Sequence, residues 1–158
     1  MMIQELKKAI ITSISDVLET MFFMVIEFDE SETVEKSKIF DIQKAYGCFL
    51  KFRGPFSGKF IIFIPEDLLV EMAMDFMGEE SENITWQHTE GTIKEVINMV
   101  AGNTFGHYDD TIEFNIGIPE LIKKEDIKDV YNSDREEGLF FRVNTGKREI
   151  VLKIAIDK

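Results

Sequence analysis

Cysteine is almost missing from this 158-residue chain, Cys48 being the only one. No internal disulfide can form, and no cysteine-rich metal framework is present. Histidine occurs only as His88 and His107, too far apart in the chain for any ligand spacing, so no metal site is expected. For both, a surface or helix-capping role is the simpler reading. The three prolines form no Pro- or Ser-rich linker, so residues 1–158 are expected to make one domain. Long apolar runs are absent too. The longest, Met21 to Ile26, is far shorter than the roughly 20 residues that a bilayer requires. Met1 to Ile10 carries no apolar run with a small-residue cleavage site, and a cytoplasmic location is expected. Positive charge is in short supply, with 18 Lys+Arg against 30 Asp+Glu and a net charge of -12. Such a field repels phosphate backbones and anionic lipid, which sets aside nucleic acid and membranes as partners. Walker and dinucleotide glycine loops are missing as well, because Gly54 and Gly58 sit in a turn between two strands.

What remains, at 44% hydrophobic and 30% charged, is ample for a folded core, and disorder is excluded. Ile3, Leu6, Ile10, Ile14, Val17, Leu18, Met21 and Val25 recur at helical spacing and predict a long amphipathic first helix from Ile3 to Val25. Glu27 to Lys38 has no periodicity and reads as a loop. Ala45 to Arg53 and Phe60 to Ile64 read as a hairpin around Gly54-Pro55-Phe56-Ser57-Gly58. In the first of these strands Cys48 is in phase with Tyr46, Leu50 and Phe52, the position of a buried, inert thiol. Pro65-Glu66-Asp67 opens a second helix whose apolar side runs from Leu68 to Met77 and which Gly78 ends. A third helix is predicted from about Thr89 to Tyr108. Ile112 to Ile118, Leu139 to Val143 and Glu149 to Ile156 are strand candidates. This order predicts an α+β fold, an α/β sandwich with long helices on one face of a mainly antiparallel sheet.

The third helix holds the candidate chemistry. Ile93, Val96, Ile97 and Val100 form its apolar stripe. Glu95 and Asn98 stand about 60° apart on the opposite side. Gly91, Gly102 and Gly106 share that outer face, although glycine inside a helix costs about 1 kcal/mol relative to alanine. A carboxylate and a carboxamide flanked by residues without side chains can be approached closely by another protein.

The sequence resembles the CheC/CheX/FliY family of chemotaxis phosphatases, most nearly CheX. The resemblance lies in Glu95-Val96-Ile97-Asn98, matching the family's Glu-x-x-Asn, in the Met99-Val100-Ala101-Gly102-Asn103 that follows, and in the Gly54-to-Gly58 turn. It extends over nearly the whole chain in element order. Two departures stand out: the family has Asp or Ser where Gly91 stands, and Pro119 comes slightly early for the family's proline. Ser15-x-x-x-Glu19-x-x-Phe22 looks like a second copy of the motif with Phe at the Asn position, which makes that copy catalytically dead. The resemblance implies a phosphatase for the phospho-aspartate of a CheY-like response regulator. Asn98 would hold the attacking water and Glu95 would pair with the regulator's lysine, while Gly91, Gly102 and Gly106 allow close approach. No cofactor is expected on this chain, and Mg²⁺ is expected on the regulator. The resemblance also implies a homodimer, for which the two last strands offer an edge.

Two other readings stand beside this one. The FliM middle domain resembles the same fold, and a non-catalytic switch module of that kind would not require Asn98. A metal-dependent hydrolase would have to use Asp109-Asp110 or Glu79-Glu80, acid pairs at helix ends without histidine partners, which fit solvated charge better.

Overall fold

The structure is a computed structural model and describes residues 3–29, 41–133, 137–146 and 148–157. Helix α1 spans Ile3–Phe22, β1 Glu27–Asp29, β2 Ala45–Arg53, β3 Gly58–Pro65, α2 Glu66–Met77 and α3 Trp86–Tyr108. Then follow β4 (Asn115–Ile116), β5 (Glu120–Leu121), α4 (Lys124–Asn132), β6 (Glu137–Asn144) and β7 (Glu149–Ile156). The strands form one sheet in the order β1-β6-β7-β3-β2-β4, with β5 also on β2. Every pairing among the described residues is antiparallel.

Side chains alternate across this sheet with the period of two that a pleated strand imposes. Cys48, Leu50, Phe52, Phe60, Ile62 and Ile64 point into the main core with α1, α2 and α3. Ala45, Ile61, Phe63 and Val151 point the other way and are covered by Ile127 and Tyr131 of α4, with the Phe63 and Tyr131 rings edge to face at 5.2 Å. The expected sandwich is therefore present, its three long helices on one face of the sheet and one short helix behind it. Lys153 fastens α4 by donating to the carbonyls of Val130 and Tyr131 at 3.1 and 3.2 Å. The sequence reading assigned no element to this helix, because its nine residues bury only Ile127 and Tyr131.

Several boundaries differ from expectation. Helix α1 stops at Phe22, not Val25, because Phe23 adopts a left-handed φ of 55°. The Met24 amide closes the turn onto the Leu18 carbonyl at 3.2 Å, and Val25 stands 84% exposed. Helix α2 stops in the same way at Gly78, with φ 67°. Glycine adopts that conformation freely, whereas a residue with a Cβ is strained by about 1–2 kcal/mol. Phe76 and Met77, expected on the apolar side of α2, are exposed at its C-terminal end. Glu27 to Asp29 pairs with β6 as a short strand where a loop was expected. The rest of that expected loop, residues 30–38, lies outside the described residues.

The predicted strand over Ile112 to Ile118 is paired only at Asn115–Ile116, and Pro119 separates it from β5. Of the two last strands expected to offer an edge, only β6 has an outer side. Strand β7 lies inside the sheet between β3 and β6, and β1 covers the outer side of β6 over Arg142 to Asn144.

Candidate functional site

Helix α3 begins at Trp86, three residues earlier than its apolar stripe indicates, because Thr85 and His88 form a reciprocal cap. The Thr85 hydroxyl accepts from the His88 amide at 3.3 Å, and His88 Nδ1 accepts from the Thr85 amide at 3.0 Å. This satisfies two amides that a helix start leaves without partners. Of the surface or capping role expected of His88, the structure shows capping.

The helix is held in rotation by what it buries. Ile93, Val96, Ile97, Val100 and Ala101 are completely enclosed. The Val100 carbonyl accepts hydroxyl bonds from Thr104 of its own helix and from buried Ser13 of α1, both at 2.7 Å. Under the C-terminal half, Phe105 stacks on Phe114 at 4.0 Å and 12° and meets Phe52 at 4.9 Å. Phe56 of the hairpin turn reaches the Tyr108 ring at 5.7 Å. The turn that the sequence marks only by its glycines and proline thus also braces the end of α3.

With that face fixed, the other is open. Gly91, Glu95, Asn98, Gly102 and Gly106 are all exposed and fall within an arc of about 80° at the helical repeat. A Cβ added at any of the three glycines meets nothing within 4 Å among the described residues. Internal crowding therefore does not explain them. Lys94 pairs with Glu90 at 3.8 Å beside the stripe, and His107 lies 3.5 Å from Asp16 of α1 near Gly106. That second contact was not legible in the sequence, because Asp16 and His107 belong to helices far apart in the chain.

The second copy of the motif is built differently. Ser15 is half-buried and Glu19 exposed on α1, but Phe22 is only 3% exposed and its ring lies 6.3 Å from that of Phe76 on α2. The position matching Asn98 is therefore part of the core and offers nothing to a water molecule.

Other candidates fall away on chemistry. Burial pushes the Cys48 thiol up to about 12, so it stays protonated and poorly nucleophilic. Asp109 accepts from the hydroxyl and amide of Thr111 at 2.6 and 2.9 Å, which holds its carboxyl below the ordinary range. Among the described residues no group of three or more His, Cys, Asp and Glu side chains is placed to hold a metal ion. Nor is any described helix long and apolar enough to cross a membrane.

Residues 46–143 match the family model described as chemotaxis phosphatase CheX. The chain belongs to that family. No curated protein matches it. Among solved structures it is similar to CheX of Borrelia burgdorferi, in a complex with CheY, BeF3 and Mg²⁺, at 20% identity, covering 96% of this chain and 97% of the other with a TM-score of 0.69. A CheC-like chemotactic protein from Shewanella oneidensis is similar at 14% identity over 99% and 100% of the two chains, with a TM-score of 0.72. The FliM middle domain of Vibrio alginolyticus is similar at 12% identity over 96% and 90%, with a TM-score of 0.56.

Proposed function

We propose that this chain speeds the loss of the phosphoryl group from the phospho-aspartate of a CheY-like response regulator. The observation that carries the reading is the exposed Glu95–Asn98 pair on α3, set in a stripe of glycines that nothing in the fold requires. Membership in a family of chemotaxis phosphatases supports it, as does the similar CheX that binds CheY.

An aspartyl phosphate is already reactive, and Mg²⁺ on the regulator offsets charge on the phosphoryl oxygens. The helper's task is to place the attacking water in line. Asn98 suits this because its amide both donates and accepts and brings no negative charge to the phosphoryl group. Glu95, one turn away, docks on the regulator's lysine through a charge-assisted bond that fixes register. Gly91, Gly102 and Gly106 let the helix backbone come close. Gly91, where the family has Asp or Ser, leaves the Glu–Asn pair intact. With a net charge of -12, recognition of an acidic regulator rests on this local contact, and binding rises with added salt. A homodimer through the outer side of β6 belongs to the same reading, and light scattering at micromolar concentration tests it.

The deciding experiment charges a cognate regulator with phosphate and follows its decay with and without this protein. The expected result is faster decay, lost in Asn98→Ala. Unchanged decay with every cognate regulator favours a non-catalytic module instead, the reading that the similarity to the FliM middle domain supports.

A further inference from the structure

Away from α3, the ends of α1 and α2 carry most of the large apolar side chains that the described surface leaves in solvent. Met21, Phe23, Val25, Phe76 and Met77 are all exposed, Phe23 to 82%. Phe23 is also the only described non-glycine residue with positive φ. Helix α2 makes the same left-handed stop with Gly78, so α1 uses a phenylalanine where glycine is free of strain, and gains no burial for its ring. Backbone strain and solvent exposure at one aromatic residue need a reason outside the folded chain.

Beside this ring lies a groove of about 510 Å³. Phe23, Val25 and Leu68 supply apolar walls, and Glu27, Glu71 and Asp75 are its charged residues. No cation lines it among the described residues, and Glu71, which lies in the field of Arg148, is already engaged within the fold. We propose that this groove docks a basic amphipathic segment of a partner protein, whose apolar face covers Phe23 and Val25 while its Lys or Arg side chains meet Glu27 and Asp75. Charge complementarity selects that occupant. A second copy of this chain, at a net charge of -12, brings more acid to an acidic rim, and an anionic bilayer is repelled for the same reason. The surface is independent of the Glu95–Asn98 pair.

The test uses the whole protein and three defined 14-residue peptides: leucines on one helical face with lysines on the other, the same peptide with serine for leucine, and the same with glutamate for lysine. Binding is read by fluorescence anisotropy and located by amide chemical-shift changes. The Leu/Lys peptide is expected to bind and to shift Phe23 to Val25 and Leu68 to Asp75, with neither control within tenfold of its affinity. Phe23→Gly and Asp75→Lys are each expected to weaken it at least fivefold. Because glycine favours the φ found at Phe23, Phe23→Gly melts no lower than the parent, so its lost affinity is not unfolding. Equal binding of the Ser/Lys peptide means charge alone and overturns the groove. Unchanged affinity in Phe23→Gly, shifts centred elsewhere, or tighter binding of the Leu/Glu peptide or of a second copy overturns it as well.

Discussion

Helices α1 and α3 carry the same spacing of small residue, glutamate and third partner, yet they treat the third position in opposite ways. On α3 that position is Asn98, exposed on a stripe cleared by glycines. On α1 it is Phe22, buried against Phe76 where the helix ends. What separates them is what lies beneath. Helix α3 runs on past Asn98 to Tyr108 with its underside fixed by Ser13, Thr104 and the Phe105–Phe114 stack. Helix α1 stops one residue after Met21, with α2 close against it. A motif at the right spacing stands open to a partner only where the helix continues past it and nothing covers it.

The largest expected effect is on the closed copy. Replacing Phe22 by Asn restores the family's pattern on paper, but it removes a core ring and strands an amide in apolar surroundings, lowering stability by about 4 kcal/mol. Urea denaturation measures the loss. Below the denaturation range, Phe22→Asn combined with Asn98→Ala is expected to stay at background dephosphorylation. Activity in that double variant, or stability within about 1 kcal/mol of the parent, breaks the distinction between a core position and a working one.

Next comes Asn98. In Asn98→Ala the stimulated decay of the phospho-regulator is expected to fall about a hundredfold while binding stays within about twofold, because on the proposed reading only the water loses its orientation. Rapid-mixing kinetics and a separate binding titration divide the two. Full activity in the purified variant ends the water-positioning role. Glu95→Lys follows with a smaller, differently divided effect. On the proposed reading it reverses charge opposite the regulator's lysine, and it is expected to weaken binding and turnover together by about tenfold, as loss of a charge-assisted contact does. A change confined to turnover makes Glu95 part of the chemistry instead of the docking.

Much of this comparison was legible in the sequence, because it rests on local periodicity. The apolar face of α3 and its outward Glu and Asn follow from a spacing of 3.6, strand β2 from a spacing of 2, and β3 from an unbroken run of apolar residues. What was not legible depends on distant contacts. The burial of Phe22 needs Phe76 of α2, and the interior place of β7 needs the pairing of β3 with it. Helix α4 stays hidden because two buried residues suffice once the sheet offers Phe63 and Val151 beneath them. The left-handed turn at Phe23 was hidden for the opposite reason: local chemistry argues for glycine there, and the chain places phenylalanine.

The smallest effect sharpens the comparison most, because stability and function are expected to move in opposite directions. An alanine methyl at Gly91, Gly102 or Gly106 enters open space, so each Gly→Ala change removes the backbone-entropy cost of helical glycine and stabilises the protein by up to about 1 kcal/mol. If the glycines exist for close approach, the triple variant melts higher and binds the regulator more weakly, with Asn98 unchanged. Thermal melts and a binding titration on one preparation decide it. A triple variant that is more stable and binds as well as the parent leaves the stripe without a function. An effect of Gly91→Ala alone places the contact at the position where the family has Asp or Ser. A stripe kept open against the helix's own preference is then evidence of what it faces, and α1, which has no glycine at all, has no such surface to lose.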